Sequence, residues 1–410
     1  MRAALSGRAL AWAVPMLAEA GALMRSAMMA WAIGPDELGR AMVLALTLRL
    51  AEMISDIGVE RLLAQSPDGD APGFLRALHG AALIRGVAMA GLLVLLAWPA
   101  AWALPGGAGG ATYAALALVP LIRGALHLDY RRAERGFSYR AMAVVEGGAV
   151  IAMLVALPAV LAVWPDHRAM LAVLVVQAGA QVVLSHLMAG QRYGVAFERS
   201  VLRAAFGFGL PLMGNAVLMF LTFQADRLIV AGAFGWAEVA VYGVAMQLAM
   251  LPAQIAGRAA ASLLAPRMRL ALAGGTLAAV TAVSLRAYLL LGLAFAAGFA
   301  ALAPEAIALV YGPAFRPDLL LALAFGVAAG ARIVRTPLSQ RAVTLGRTGD
   351  PARANLWRAA ALIPAFGFAL AGLPLTALAL AAACGEVAAT LSALFLARRP
   401  AVVAPMECLP

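Results

Sequence analysis

Residues 206–269 decide the fold, and they read FGFGLPLMGNAVLMFLTFQADRLIVAGAFGWAEVAVYGVAMQLAMLPAQIAGRAAASLLAPRMR. Two apolar runs, 206–233 and 237–264, are joined by a very short turn, and each is long enough to cross a bilayer as a helix. Both runs carry polar side chains inside their apolar sequence: Asn215, Thr222, Gln224, Asp226 and Arg227 in the first, and Gln247, Gln254 and Arg258 in the second. Polar groups are costly in hydrocarbon and normally face a protein interior or a watery cavity. The stretch therefore predicts a membrane protein built around a polar cavity.

The composition supports this prediction. Of the 410 residues, 64% are hydrophobic and only 12% are charged, and the mean hydropathy is +0.90. These values exclude an ordinary soluble domain. The net charge of +11 would suggest nucleic acid in a soluble protein, but here the arginines lie between apolar runs. We therefore predict a membrane partner and no nucleic acid.

The whole chain divides into twelve predicted spans. They cover residues 8–31, 38–63, 77–103, 111–128, 141–163, 168–189, 206–233, 237–264, 282–303, 315–335, 353–371 and 373–397. Every second connection is basic, the last of them containing Arg335, Arg341 and Arg347. Because arginine-rich connections stay in the cytoplasm, both termini are predicted to be cytoplasmic.

Internal similarity predicts two lobes. When residues 34–65 are laid over 235–266 without gaps, eight of the 32 positions are identical, including Gly34 with Gly235 and Glu37 with Glu238. Both segments run in the same direction as the second helix of their half, which is a parallel repeat. We predict an N-terminal six-helix lobe at 1–190, an amphipathic cytoplasmic connector at 191–205, and a C-terminal six-helix lobe at 206–410.

No enzyme motif is present in the sequence. It contains no metal-ligand spacing, no phosphate-binding loop, no nucleotide fingerprint and no nucleophile–base pair. We therefore expect a non-enzymatic protein without a cofactor. The four histidines, His79, His127, His167 and His186, are scattered near predicted helix ends and are interpreted as interfacial or packing residues.

The second predicted helix carries charges at Arg49, Glu52, Asp56 and Glu60, spaced three, four and four residues apart and hence on one face. They could form an intrahelical ladder that neutralises itself. They could also form a polar cavity wall or an ion relay. Both interpretations stay open for the first three residues, and the structural one is preferred for Glu60.

Further arginines lie in predicted spans of both halves, including Arg25, Arg85, Arg123, Arg227 and Arg258. Each one alone could be an ion-pair partner. Glu386 in the last span is expected to form an ion pair with a residue close to it in the sequence. Deep arginines in both halves are better explained by an anionic headgroup such as a pyrophosphate, which the planar guanidinium binds through two parallel hydrogen bonds. The amides of Asn215, Gln224, Gln247 and Gln254 suit sugar hydroxyls, or hydrogen bonds between helices.

Three segments resemble one known family. The stretches GPDELGRAMVLALTLRLAEMISDIGVERLLAQ, GLPLMGNAVLMFLTFQADRLIVAGAFGWAEVAVYGVAMQLAMLP and LAPEAIALVYGPAFRPDLLLALAFG resemble Wzx-type polysaccharide flippases of the multidrug/oligosaccharidyl-lipid/polysaccharide exporter superfamily. The resemblance covers most of the chain in the same order and weakens after Arg341. It implies two six-helix lobes around a central cavity that opens alternately to each side. The implied substrate is an undecaprenyl-pyrophosphate-linked oligosaccharide, moved to the outer leaflet of the bacterial inner membrane without ATP.

On this resemblance the headgroup would contact Arg25, Arg49, Arg85, Arg123, Arg227 and Arg258. Glu52, Asp56 and Asp226 are the candidates for coupling to a proton or sodium gradient, or for keeping those arginines apart. The expected pathway is O-antigen, capsule or exopolysaccharide synthesis, with a polysaccharide polymerase and glycosyltransferases as possible partners. The alternatives are an ion-coupled multidrug extruder of the same superfamily, disfavoured because arginines repel organic cations, and a scaffold of the assembly complex.

Overall fold

The computed structural model describes residues 2–399, and this part of the chain is helical and contains no β-strand. The side chains left outside the description are those of residues 2–9, 11, 72, 211, 212, 215, 218 and 221–223. The predicted all-α membrane fold is confirmed.

The chain forms two compact units, Met1–Phe220 and Leu221–Pro410. The helices of the first are α1 (Arg2–Ile54), α2 (Val59–Gln65), α3 (Pro72–Ala103), α4 (Gly109–Ala115), α5 (Leu118–Gly124), α6 (Asp129–Arg132), α7 (Arg140–Met142), α8 (Gly148–Val163) and α9 (Arg168–Leu187). Helix α10 (Arg199–Ala233) continues from the first unit into the second. The others are α11 (Trp236–Ala259), α12 (Ala265–Ala273), α13 (Leu277–Tyr311), α14 (Leu319–Thr344), α15 (Gly349–Ala360), α16 (Leu362–Leu370) and α17 (Leu375–Ala397).

Helix occupies each of the twelve predicted spans. Seven helical segments in the described part of the chain are long and apolar enough to cross a membrane, and a pair bent by 59° after Gly124 would be an eighth. Helix α1 contains the first predicted span and the first part of the second, and its backbone turns between them at Gly34, where φ is +73°. The second predicted span is interrupted after Ile54 and ends in α2. The eleventh span is divided between α15 and α16.

The backbone shows the internal repeat as well. Gly34 and its counterpart Gly235 both have a positive φ, +73° and +101°, with an extended ψ of 179° and 170°. A side chain is strained in this conformation, and glycine is not. The helix that follows is interrupted in the first unit between Ile54 and Val59. The aligned residues 256–259 of the second unit are helical, and a π-helical turn follows them at Ala260–Leu264.

The predicted connector is only partly helical. Residues 189–198 are irregular, and α10 begins at Arg199. The predicted limit at 206 lies inside this uninterrupted helix, so the lobe limits stay predictions.

Three of the four histidines meet on this connector. The ring of Tyr193 lies 4.6 Å from that of His79 and 4.9 Å from that of His186, and His127 lies 4.8 Å from His79. The Nδ1 atom of His79 donates to the carbonyl oxygen of Gly194 at 2.9 Å. These three histidines are far apart in the sequence, whereas the fold brings them together. Their rings pack against Tyr193 and hold the connector against the neighbouring helices.

The close approach of the connector depends on a glycine of α3. A Cβ atom at Gly80 would lie 2.1 Å from the carbonyl oxygen of Ala196. The backbone nitrogen of Ala196 also donates to the carbonyl oxygen of Arg76 at 3.0 Å. The chain between the two predicted lobes is therefore packed tightly on the N-terminal end of α3.

A second cluster joins three connections at the predicted outer end of the first unit. Glu37 accepts hydrogen bonds from the backbone nitrogen of His167 at 2.9 Å and from its Nδ1 at 2.6 Å, and it pairs with Arg40. Arg40 also donates to the carbonyl oxygen of Gly106 at 2.8 Å. Burial alone would raise the pKa of Glu37, but the hydrogen bonds from His167 and the charges of His167 and Arg40 outweigh it, so this pKa lies below its usual range.

We expect Glu37→Gln to lower the free energy of unfolding at neutral pH by about 0.5–1 kcal/mol, since the cluster is partly exposed. The folded-state pKa is the lower one, so the contribution of Glu37 is complete above the ordinary glutamate pKa of about 4.3 and is lost as the pH falls through the folded-state value. The melting temperatures of wild type and variant should therefore converge in acid. Glu305→Gln, which removes an exposed pair with Arg316, is the control. A difference that persists in acid would contradict the proposed charge effect.

Candidate functional site

The first unit pairs two of the predicted cavity arginines with the predicted coupling carboxylates. Arg123 Nη1 of α5 forms an ion pair with Glu52 of α1. Arg85 Nη1 of α3 lies 4.0 Å from Asp56 Oδ1. Each arginine thus has a carboxylate on another element, which is the ion-pair alternative that the sequence left open.

The predicted one-face ladder is wrong. Helix α1 ends at Ile54, so Arg49 and Glu52 lie on a helix, whereas Asp56 lies in the following turn and Glu60 lies in α2. The break has a local cause, because Asp56 Oδ1 accepts a hydrogen bond from the backbone nitrogen of Gly58 at 2.9 Å, and Gly58 has φ +69°. An aspartate that bonds the backbone two residues on is a turn-forming arrangement.

A polar cavity of about 150 Å³ lies inside the first unit. Its charged lining groups are Glu52, Glu60, Arg85 and Arg123, and its other walls include Met89, Pro120 and Gln181. The Oε1 atom of Gln181 and the Nε atom of Arg123 are buried and have no hydrogen-bond partner within residues 2–399. Buried donors and acceptors are normally satisfied by water in a polar space of this size, so we interpret the cavity as hydrated.

Arg25 and Arg49 differ from the other arginines of the first unit. Arg25 is half-buried; its Nη1 lies 3.5 Å from Met153 Sδ, and its buried Nε has no hydrogen-bond partner in the described part of the chain. Arg49 is exposed. Neither guanidinium forms an ion pair with a carboxylate of the described residues. Both retain the donors that an anionic ligand would need.

In the second unit, Asp226 is fixed by its own helix and by α11. Its side chain is buried, with 6% of the residue exposed. Oδ2 accepts from the hydroxyl of Tyr242 at 2.9 Å, and Oδ1 accepts from the backbone nitrogen of Arg227 at 2.9 Å. Asp226 also lines a small pocket together with Arg358 and Glu386.

The other predicted polar residues of this unit follow α10 and α11. Gln224 is half-buried, and its Oε1 is a buried acceptor without a hydrogen-bond partner in the described structure. Gln247, Gln254 and Arg258 are half-buried on α11, and Arg227 is half-buried on α10. The side chain of Asn215 lies outside the described residues. The roles of these residues in substrate binding stay predictions.

The sequence missed a buried ion triad in the second unit. Glu386 of α17 lies 3.1 Å from Arg335 Nη2 of α14 and 2.5 Å from Arg358 Nε of α15. The charge pattern predicts Arg335 in a cytoplasmic connection, but α14 continues to Thr344 and buries it. The partners of Glu386 come from two other helices, so the local pair expected for it is wrong. Its polar position in an apolar helix was visible in the sequence, but its partners were not.

Solved structures of transporters share this fold. The chain is similar to a lipid II flippase, MurJ, in an inward closed conformation, with a TM-score of 0.74 and 12% identity over 96% of this chain and 88% of that one. It is also similar to an inward-facing multidrug resistance MATE family transporter of the MOP superfamily, with a TM-score of 0.63 and 14% identity over 92% and 94% of the two chains. For a mutant of the Vibrio cholerae MATE transporter VcmN the TM-score is 0.60, with 16% identity over 97% of each chain.

These similarities agree with about twelve transmembrane helices in two lobes. No curated protein sequence matches the chain. The sequence pattern of one family, described as polysaccharide biosynthesis protein, matches residues 28–318. The resemblance that the sequence motifs indicated is therefore confirmed, and the chain belongs to the polysaccharide biosynthesis protein family.

Proposed function

We propose that the protein is a flippase that moves an undecaprenyl-pyrophosphate-linked oligosaccharide from the cytoplasmic to the periplasmic leaflet by alternating access. Its family and its transporter fold support movement of a lipid-linked substrate. The proposed setting is the bacterial inner membrane, with both termini cytoplasmic and O-antigen, capsule or exopolysaccharide as the final polymer. A polymerase and glycosyltransferases are its proposed partners, and the protein itself is a transporter rather than an enzyme.

One observation carries the choice of an anionic headgroup. Arg25 and Arg49 lie in the first two predicted spans, and neither has a carboxylate partner among the described residues. Arginine in hydrocarbon is expensive, so it normally pairs or faces a watery pathway. A pyrophosphate would supply the missing negative charge, whereas an organic cation would be repelled.

The predicted headgroup contacts of the first unit differ in how much of their charge is neutralised by a nearby carboxylate. Arg85 and Arg123 are close to Asp56 and Glu52, so their guanidinium groups are partly neutralised. Arg25 and Arg49 thus become the principal contacts from the first unit, while Arg227 and Arg258 remain the proposed contacts from the second. Glu52, Asp56 and Asp226 remain the proposed ion-coupling residues, for either a proton or sodium.

The test is mass spectrometry of lipid extracts from a strain that lacks this gene. Accumulation of pyrophosphate-linked oligosaccharides with loss of surface polymer, reversed by the wild-type gene, is the expected result. Normal glycolipids together with new sensitivity to cationic drugs would overturn it in favour of a multidrug extruder. Normal glycolipids and drug resistance, with polymer assembly lost, would overturn it in favour of a scaffold.

A further inference from the structure

One guanidinium group in the first unit is surrounded by three carboxylates. Arg131 Nη2 lies 3.0 Å from Glu60 Oε2, Arg131 Nη1 lies 2.9 Å from Glu134 Oε1, and Nη2 also pairs with Glu146. Its Nε donates to the hydroxyl of Tyr130 at 3.2 Å. We call Arg131, Glu60, Glu134 and Glu146 the Arg131 cluster. Its members come from α2, from α6 and the turn after it, and from the start of the fifth predicted span.

The negative charge in this region is concentrated at the Arg131 cluster. Neighbouring carboxylates each have a guanidinium of their own: Glu52 with Arg123, Asp56 with Arg85, Asp70 with Arg135, and Asp129 with Arg132. Of the other charged groups on the elements packed against the cluster, Arg61 and Arg140 are exposed, and Glu19 and Arg25 of α1 are half-buried. Fully ionised, the cluster would place three negative charges around one positive charge.

Such an arrangement favours binding of a proton. Carboxylates that share one site repel each other, and the repulsion is relieved when one of them is neutralised. Only 20% of the Arg131 side chain and 25% of the Glu146 side chain are exposed, so water screens this repulsion incompletely. When a proton binds, one carboxylate becomes a carboxylic acid, which can donate a hydrogen bond to a neighbouring carboxylate.

The position of Glu146 depends on a backbone irregularity. Residues Ala143–Gly147 form a π-helical turn between α7 and α8, and Glu146 lies inside it. Such turns insert an extra residue into a helix and occur frequently at functional sites. Glu146, inside this turn, pairs with Arg131.

The cluster also has a route to water. The Glu60 side chain is 44% exposed, and Glu60 lines the cavity of about 150 Å³. The buried acceptor Gln181 Oε1 and the buried donor Arg123 Nε line the same cavity without hydrogen-bond partners among residues 2–399. These two atoms indicate water inside the cavity independently of the carboxylates, and water provides a path for proton exchange with Glu52.

We propose that the Arg131 cluster, acting as a unit, binds and exchanges one proton. Loss of the proton increases repulsion between α2 and the π-helical turn, and binding draws them together. The further step, that this proton is the coupling ion and exchanges through the cavity with the proposed coupling residue Glu52, rests on the proposed flippase function and selects the proton over sodium.

Infrared difference spectroscopy of the purified full-length protein, between mildly acidic and mildly alkaline buffer, tests the site without any transport substrate. The expected result is a carboxylic acid C=O band equivalent to one proton per molecule, which is lost in Glu60→Gln, Glu134→Gln or Glu146→Gln. Each substitution removes one negative charge, so the two remaining carboxylates no longer need the shared proton. Glutamine has the shape of the protonated acid and should preserve the fold, which melting temperatures would verify.

Glu305→Gln is the matched control, because Glu305 forms a one-to-one exposed pair with Arg316, and it should leave the band unchanged. Absence of the band in wild type, or its persistence in all three cluster variants, would overturn the proton site whether or not the protein is a flippase. Complementation of the deletion strain tests the coupling step separately. If the variants lack the band yet prevent glycolipid accumulation like wild type, the coupling step is wrong.

Discussion

Replacing Glu386 by glutamine is expected to lower the free energy of unfolding by about 3–5 kcal/mol, because two buried guanidinium groups would lose their shared carboxylate. Glu386 lies between Arg335 and Arg358, and the exposed side-chain fractions of the three are 4%, 8% and 6%. Removing one partner of a buried ion pair leaves an uncompensated charge in a region of low polarity. The melting temperature of the purified protein in detergent measures the loss.

The controls separate loss of charge balance from loss of packing. Glu305→Gln removes a carboxylate from an exposed pair and should change stability by less than about 1 kcal/mol. Replacing the whole triad with Leu and Met should restore most of the stability, since well-packed apolar residues of similar volume often substitute for a buried ionic cluster. A Glu386→Gln protein that melts like wild type would contradict the buried triad.

The fold class was predictable because membrane helices are specified by simple physical rules. About 20 apolar residues are needed to cross the bilayer, and arginines in every second connection predict the direction of each crossing. Helix ends were less predictable, since a polar residue can end a span without ending its helix. Arg335 shows this, because α14 continues past it to Thr344.

The sequence contains a signal for the break after Ile54, but the prediction did not use it. Asp56 followed by Gly58 is a turn pattern, but the regular spacing of charges from Arg49 to Glu60 favoured an uninterrupted helix. The π-helical turn at Glu146 has no comparable signal in the sequence.

The individual charged residues were visible in the sequence, but their partners were not. The sequence favours a structural role for Glu60, and the fold pairs it with Arg131 and places it at a cavity. Arg85 and Arg123 were indistinguishable from Arg25 by sequence, and only the fold places carboxylates near the first two. Pairings between distant helices depend on packing geometry, which spacing along one helix does not contain.

Loss of Arg25 or Arg49 should strongly reduce export of the proposed lipid-linked oligosaccharide while leaving the fold intact. A hydrogen bond to a charged group contributes about 1.5–3 kcal/mol, so each alanine variant should export about 10- to 100-fold more slowly. Neither residue is paired with a carboxylate of the described chain, so neither substitution leaves a carboxylate without its partner. Quantitative mass spectrometry of glycolipids in the complemented deletion strain gives the export defect, and melting temperature verifies folding.

Three comparisons make this result specific to the anionic headgroup. Arg25→Lys and Arg49→Lys should recover only part of the export, because lysine keeps the charge but loses the planar two-donor geometry. Arg168→Ala removes an exposed arginine that pairs with Asp166 outside the proposed pathway, and should export normally. Arg123→Gln, which leaves Glu52 without its partner, should lower stability as well as export. Wild-type export by both Arg25→Ala and Arg49→Ala would show that the proposed headgroup is bound elsewhere, because these two guanidinium groups would then have no part in transport.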